Sequence, residues 1–190
     1  TSERTKVKYW YVGIPGLKLM TPKTTSNGCR GLHTTSNGRT YAVYGNTVSE
    51  LKATGQLIDI GTLNTSGGKV SMCDNSETVL IVDGKFGYTI STADNYLSQI
   101  TEEGFPGVAV EGSDMSNGEN GPSHCVCIDT YFIVNSVDTD KYFWSAPGYV
   151  PYAFDSSNPQ NETLWNALES GAKIGDSDNI IAMTSTSQLL

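Results

Sequence analysis

The sequence has few positive charges and no apolar run long enough to cross a membrane. Twelve Lys and Arg residues stand against twenty Asp and Glu residues, giving a formal net charge of −8 at pH 7. Tight binding to nucleic-acid phosphates requires clustered basic side chains, so this balance argues against a DNA- or RNA-binding protein. A membrane helix requires about 20 apolar residues in succession, and none is found, so no membrane partner is predicted. The first residues, 1–8, lack the apolar core of a secretory signal, so one has been removed or none was needed.

The sequence also lacks the short motifs of common enzymes. It contains no Gly-x-Ser-x-Gly, His-Glu-x-x-His, Walker or Rossmann pattern. Its two histidines, His33 and His124, begin strands that look equivalent, which indicates a packing position. Most carboxylates fall where turns are predicted and are expected to bond their own backbone: Asp74, Asp83, Asp94, Asp138, Asp140, Asp176 and Asp178. No catalytic residue is predicted, and the chain is not expected to be an enzyme.

Cysteine is scarce, which argues against both a disulfide framework and a zinc site. Cys29, Cys73, Cys125 and Cys127 are irregularly spaced and are expected to be free thiols, largely buried, in a reducing compartment. His124, Cys125 and Cys127 hint at a metal site. On a strand, however, the two sulfurs share one face without completing a tetrahedral set, and no second Cys/His cluster exists.

Two other ligand signals are equally incomplete. Asp138 to Asp140 and Asp114 to Gly118 weakly resemble calcium loops, but neither has the full oxygen spacing closed by a Glu. The sequons at Asn64 and Asn161 are interpreted as chance matches. No metal, cofactor or glycan attachment is therefore predicted, and binding residues remain unknown.

A recurring strand couplet is the strongest positive feature. Gly31 to Gly45, Lys69 to Gly84 and His124 to Ser136 each combine a short apolar strand, a tight polar turn and a second β-branched or aromatic strand. Self-similarity at intervals of about 40 to 50 residues is typical of radially repeated sheets. The sequence therefore predicts an all-β fold, a β-propeller or partial propeller of short four-stranded antiparallel blades.

Alternation and turn residues divide the chain into blades within one domain. Residues 1–28 are predicted to form a strand, Lys6 to Val12, followed by a loop, and this strand is a candidate for the strand that closes the last sheet. The blades are predicted to cover about 29–63, 69–103 and 124–175, with a fourth starting at 178. The expected strands are Arg30 to Thr35, Thr40 to Tyr44, Val48 to Ala53, Leu57 to Thr62, Val70 to Cys73, Thr78 to Val82, Gly87 to Ser91, Leu97 to Thr101, Cys125 to Ile128, Tyr131 to Asn135 and Tyr142 to Ser145.

Three stretches are less regular. Gly104 to Ser123 is predicted to be a long exposed connection. Asn161 to Ala172 fits either a helix, with Leu164, Trp165 and Leu168 on one face, or an outer strand. Ile180 to Thr184 is predicted to open the fourth copy, whose unpaired edge suggests a portion of a longer protein.

Aromatic residues cluster in two places and permit two interpretations. Tyr9, Trp10, Tyr11, Tyr142, Phe143 and Trp144 could form a platform for carbohydrate, or they could fill and cover the blades. The packing interpretation is favoured. A carbohydrate-binding propeller and a propeller-fold glycoside hydrolase, which needs two carboxylates across a sugar, are kept as alternatives.

The order of several short phrases resembles the packaged-DNA stabilisation proteins of short-tailed bacteriophages, also described as tail accessory factors or tail-nozzle proteins. The phrases are Tyr11 to Leu17, Arg30 to Leu32, Lys69 to Met72, the Val-Asp-Gly ending at Gly84, Tyr88, Phe143 to Ser145, Trp165 to Glu169 and Asp178 to Ile181. The likeness extends from about Tyr11 to Leu190, although members of the family are usually more than twice as long.

The resemblance implies a structural protein of the virion tail, assembled in the host cytoplasm. Members form a ring, commonly of six copies, below the portal and its adaptor. They extend the DNA channel, help to retain packaged DNA and dock a tail needle or tailspikes. The family has no catalytic residues to carry over. The acidic balance suits a channel through which DNA passes without being gripped.

Overall fold

The computed structural model describes residues 16, 28–109, 114–148, 165–173, 175 and 178–185. These residues form an all-β structure of three antiparallel sheets, each with four strands. Within the described part, no helix is long and apolar enough to cross a membrane. The predicted N-terminal strand, Lys6 to Val12, lies outside the described residues.

Each sheet is built from strands that are consecutive in sequence. Sheet 1 has the order β1-β2-β3-β4, sheet 2 the order β5-β6-β7-β8, and sheet 3 the order β12-β11-β10-β9. Their bounds are β1 Cys29–Thr34, β2 Thr40–Tyr44, β3 Thr47–Leu51, β4 Leu57–Thr62, β5 Ser71–Asp74, β6 Thr78–Val82, β7 Gly87–Ser91, β8 Leu97–Gln99, β9 Cys125–Ile128, β10 Tyr131–Asn135, β11 Lys141–Ser145 and β12 Trp165–Ala172. The predicted four-stranded antiparallel units are thus confirmed.

Sheet 2 supplies side chains to two hydrophobic clusters, one from each of its faces. Successive side chains on a strand point to opposite faces. On β6, Val79 and Ile81 therefore join Tyr41 and Val43 of sheet 1, whereas Leu80 and Val82 join the cluster that contains residues of sheet 3. Because both faces are covered, β6 and β7 are buried along their whole length.

The cluster shared by sheets 2 and 3 needs a glycine at position 87. A β carbon there would lie 2.2 Å from Cζ of Phe105, so the missing side chain provides the space for that ring. Phe105 is 1% exposed and meets Trp165 edge to face, with ring centroids 4.8 Å apart. The prediction that Gly104 to Ser123 is an exposed connection is therefore wrong at this aromatic residue, which enters the core.

Two further predictions are corrected by the structure. The helical alternative for residues 161–172 is wrong over its described part, because Trp165–Ala172 is a strand paired with β11. Trp165 is 1% exposed and Leu168 is 88% exposed, so they do not share a buried face.

The predicted strand Ile180 to Thr184 is not formed, although its residues lie beside sheet 3. The amide of Ile180 donates to the carbonyl of Thr139 (3.0 Å), and its carbonyl accepts from Nδ2 of Asn135 (3.1 Å). Because these two bonds go to a turn carbonyl and to a side chain, they do not form the repeated backbone pairing between strands that a sheet requires. Within the described residues the segment pairs with no strand.

Candidate functional site

The first strands of the three sheets lie around one cleft, here called the central cleft. Contacts join β1 to β5 and β5 to β9. The cleft has a volume of about 320 Å³, and the segment 183–185 forms its remaining side. Its lining comprises His33, Met72, Cys73, Asp74, Cys125, Val126, Cys127, Met183, Thr184 and Ser185. The cleft therefore brings together residues from four parts of the chain.

A histidine–carboxylate pair bridges sheets 1 and 2 at this cleft. Nε2 of His33 lies 2.7 Å from Oδ1 of Asp74. The other oxygen, Oδ2, accepts from the hydroxyl and amide of Ser36 (2.7 and 3.1 Å) and from the amide of Ser76 (3.0 Å). Burial raises the pKa of Asp74, but the hydrogen bonds from Ser36, His33 and Ser76 outweigh it and lower the pKa overall. Asp74 is therefore an ionised, fully hydrogen-bonded anchor.

Two of the three thiols in the cleft, those of Cys73 and Cys127, are shifted away from the nucleophilic form. Burial raises the pKa of Cys73 well above its usual value and also raises the pKa of Cys127. A nucleophilic cysteine needs the opposite shift, because the thiolate is the reactive form. Cys125 lies in the same buried environment, with Sγ 3.6 Å from Oγ of Ser71. All four cysteines are free thiols, and only Cys29 is exposed.

No metal centre is formed by the residues that the sequence singled out. The described residues contain no group of three or more His, Cys, Asp or Glu side chains arranged to hold a metal ion. As expected for a strand, Cys125 and Cys127 share one face, that of the cluster with sheet 2. Nδ1 of His124 bonds instead to the hydroxyl of Ser123 at 2.9 Å.

The two histidines are not equivalent, contrary to the prediction. His33 is the fifth residue of β1, whereas His124 precedes β9.

The prediction that turn aspartates bond their own backbone is confirmed at three turns. Asp74 accepts from Ser76, Asp83 accepts from Lys85 and Phe86, and Asp94 accepts from Tyr96 through backbone amides. Asp176 lies outside the described residues.

A second polar cluster ties sheet 1 to the turn between β7 and β8. Nε of Arg39 donates to Oε1 of Glu50 (2.9 Å), and Nζ of Lys52 and Nδ2 of Asn95 lie 2.7 and 2.8 Å from Oε2. Arg39 also donates to Oδ1 of Asn95 and to the carbonyl of Thr92. The hydrogen bond from Arg39 is the main cause that lowers the pKa of Glu50 to about 2. Every partner is satisfied within the cluster, which makes it a structural clamp.

A second concave region lies beside sheet 3 and is called the side groove. It has a volume of about 590 Å³ and is lined by Tyr142, Ala172, Lys173 and residues 179–182. Of the six aromatic residues that the sequence grouped, the structure pairs Tyr142 with Trp144, and Phe143 packs against the core. Tyr9, Trp10 and Tyr11 lie outside the described residues.

The sequence reasoning missed the pair of His33 and Asp74 and the clamp of Arg39, Glu50 and Asn95. A signal was available in the spacing. His33 and Asp74 are 41 residues apart, which is about one repeat of the couplet. In stacked repeats, positions separated by one repeat lie on neighbouring units, so such pairs are candidates for contact.

Comparison with known proteins adds no assignment. No protein-family model matches the chain, and no curated protein matches it either. The site residues must therefore be interpreted from their geometry.

Proposed function

We propose that this chain is a structural component of a phage tail, a propeller-type nozzle or tail accessory protein. The observation that carries the proposal is the arrangement around the central cleft. In a propeller, four-stranded blades are set radially and their first strands surround the axis. Each sheet here has consecutive strands, and β1, β5 and β9 line the same cleft.

The segment 183–185 supports this interpretation further. It completes the lining of the cleft, and the repeated couplet predicts the start of a fourth copy in the stretch that contains Met183 and Thr184. A cleft lined by the first strands of three sheets and by a later segment is what a radial repeat would produce.

The chemistry of the cleft favours a structural role. His33 and Asp74 are bonded to each other across two sheets, and burial raises the pKa of the Cys73 and Cys127 thiols, which disfavours their nucleophilic form. The net charge of −8 disfavours adhesion of DNA, as a channel wall requires. Together with the ordered phrases that resemble the nozzle family, these features support a ring below the portal adaptor. DNA would pass through that ring, and it would offer docking surfaces for a tail needle or tailspikes.

The proposal is tested on virions and on the genome that encodes the chain. We expect peptides of the full-length protein in purified particles, at a fixed low copy number close to the six copies common in the resembling family. We also expect portal and terminase genes beside its own gene. Purified particles that lack the protein, while it accumulates in infected cells, would contradict a tail position.

A carbohydrate-binding tail component is the second candidate, and one observation favours it. Tyr142 and Trp144 form a tilted aromatic pair beside the side groove.

The glycoside hydrolase alternative has no such support in the described residues. Asp74 is the only carboxylate lining the central cleft, and none lines the side groove.

A further inference from the structure

We propose that the side groove and the Tyr142–Trp144 pair form a binding site for a neutral oligosaccharide. This inference rests on the second candidate function, a tail component that meets a bacterial surface, and gives it a location and a ligand class. Three features of sheet 3 carry it: the aromatic pair, the mixed lining of the groove and the charge around it.

The aromatic pair presents two inclined rings on one face of β11. Tyr142 and Trp144 are two positions apart, so their side chains share a face, whereas Phe143 points into the core. The ring centroids are 5.9 Å apart, with an angle of 39° between planes. Both residues are partly exposed. Aromatic rings with one accessible side offer apolar area at low entropic cost, which suits the C–H faces of a sugar ring.

The orientation of Tyr142 is fixed by the neighbouring strand. Tyr142 is paired in register with Gly171 of β12. A β carbon at Gly171 would lie 2.5 Å from Cζ and from the hydroxyl oxygen of Tyr142, so the ring lies against this glycine. A ring that is already oriented loses less entropy when a ligand binds.

The groove lining alternates between apolar and polar groups. Ile180 and Ala182 supply apolar surface, while the exposed Lys173 and Asn179 supply an ammonium and an amide. These groups offer donors and an acceptor to hydroxyls. A volume of about 590 Å³ lies within the range of small-molecule sites, about 300 to 1,000 Å³.

The charge of the groove and of the whole chain indicates whether a neutral or an acidic sugar would bind. Lys173 is the single charged residue of the lining, and its backbone amide donates to the carbonyl of Asp140. With a net charge of −8, a polyanionic ligand would be repelled. The side groove therefore suits an uncharged glycan.

The test is calorimetric and NMR titration of the full chain with neutral hexose and N-acetylhexosamine oligosaccharides and with uronic acid oligosaccharides. We expect saturable binding of a neutral member, weakened at least tenfold by Tyr142→Ala or Trp144→Ala. Tyr142→Phe, which retains the ring, should bind within about threefold of the wild type. Tyr96→Ala removes an aromatic residue that is 56% exposed in the turn before β8, and it should not change the affinity.

A fluorescence measurement on the wild type tests binding without relying on the alanine variants, whose folding could be impaired. Ligand should shift the tryptophan emission of the wild type, and Trp144→Phe should abolish the shift. Three results would each overturn the proposal: no binding of any neutral oligosaccharide, wild-type affinity in Tyr142→Ala, or tighter binding of the uronic acid oligosaccharides. Detection of the protein in virions is independent of all three results, so failure here is distinguishable from failure of the tail assignment.

Discussion

At the scale of single residues, polar side chains join the sheets through complete hydrogen-bond sets. Asp74 uses both oxygens to connect His33 of sheet 1 with its own turn, and Glu50 uses both oxygens within the clamp. Removing one partner of such a buried set leaves the other unsatisfied, which costs more than the bond itself contributes. These residues therefore set the acid stability of the fold.

Glu50 should give the protein a distinct sensitivity to acid. Its pKa falls from an ordinary value of 4.5 to about 2 on folding. Because the folded-state value is the lower one, the carboxylate stabilises the fold above about pH 4.5, and this contribution is lost as the pH falls toward 2. For Glu50→Gln we expect a loss of up to about 3 kcal/mol at pH 7 and a shallower decline between pH 5 and 2.

Urea unfolding at a series of pH values provides the measurement, and Glu77→Gln is the control because Glu77 is exposed. Equal acid slopes in the wild type and in Glu50→Gln would show that the clamp does not contribute as described.

At the scale of elements, the three sheets are tied together at their first strands. Gly31 of β1 approaches the start of β5 so closely that a β carbon would lie 3.0 Å from the carbonyl oxygen of Val70. The pair of His33 and Asp74 joins the same two strands at the central cleft. Contact between β1 and β5 thus combines a close backbone approach with the His33–Asp74 pair.

The link between β1 and β5 can be measured with a double-mutant cycle. For His33→Gln and Asp74→Asn we expect a coupling energy of about 1 to 3 kcal/mol, because the two groups are in direct contact. Equilibrium unfolding of the four proteins in the cycle gives this value. Effects that add to within about 0.5 kcal/mol would mean that the pair does not hold the strands together.

Gly87 should be intolerant of a side chain because Phe105 fills the adjacent space. Gly87→Val is expected to destabilise the fold by about 1 to 3 kcal/mol through overpacking against that ring. Thermal and urea unfolding measure the loss. Gly67→Ala is the matched control, since a β carbon at Gly67 meets nothing within 4 Å. Combining Gly87→Val with Phe105→Leu should recover part of the loss, and a purely additive result would contradict this packing explanation.

At the scale of the whole molecule, the acidic charge and the packing of three sheets beside one another both suit the proposed channel role. Sheet 2 is covered on both faces by its neighbours, and the first strands surround the central cleft. A chain with a net charge of −8 has a field that repels polyanions. A channel component should combine such a framework with weak adhesion to DNA.

The full chain should therefore fail to retain linear duplex DNA. In gel-shift experiments at low ionic strength we expect no retarded band at micromolar protein, with a basic DNA-binding protein as the positive control. Retention that weakens as salt is added would reveal a phosphate-binding surface and contradict the channel proposal.

The strands were predictable because their signals are local. Thr40–Tyr44, Leu57–Thr62, Thr78–Val82, Gly87–Ser91, Cys125–Ile128 and Tyr131–Asn135 have the bounds that alternation and turn residues predicted. The turn glycine in Asn37-Gly38 adopts φ +84°, as an Asn-Gly turn between paired strands requires. The burial of Phe105, which lies in the connection after β8, was not predictable, because it depends on the space left by Gly87 in β7.

The sequence alone determined the all-β class, the four-stranded units and the acidic character, since each follows from local pattern or composition. Only the tertiary structure decided which residues meet. His33 and Asp74 are 41 residues apart, Arg39 and Asn95 are 56 apart, and Tyr142 lies against Gly171. These contacts arise from the way sheets stack and strands pair in register, which local pattern does not specify. The repeat spacing makes His33 and Asp74 candidates for contact, but only the packed sheets bring them together.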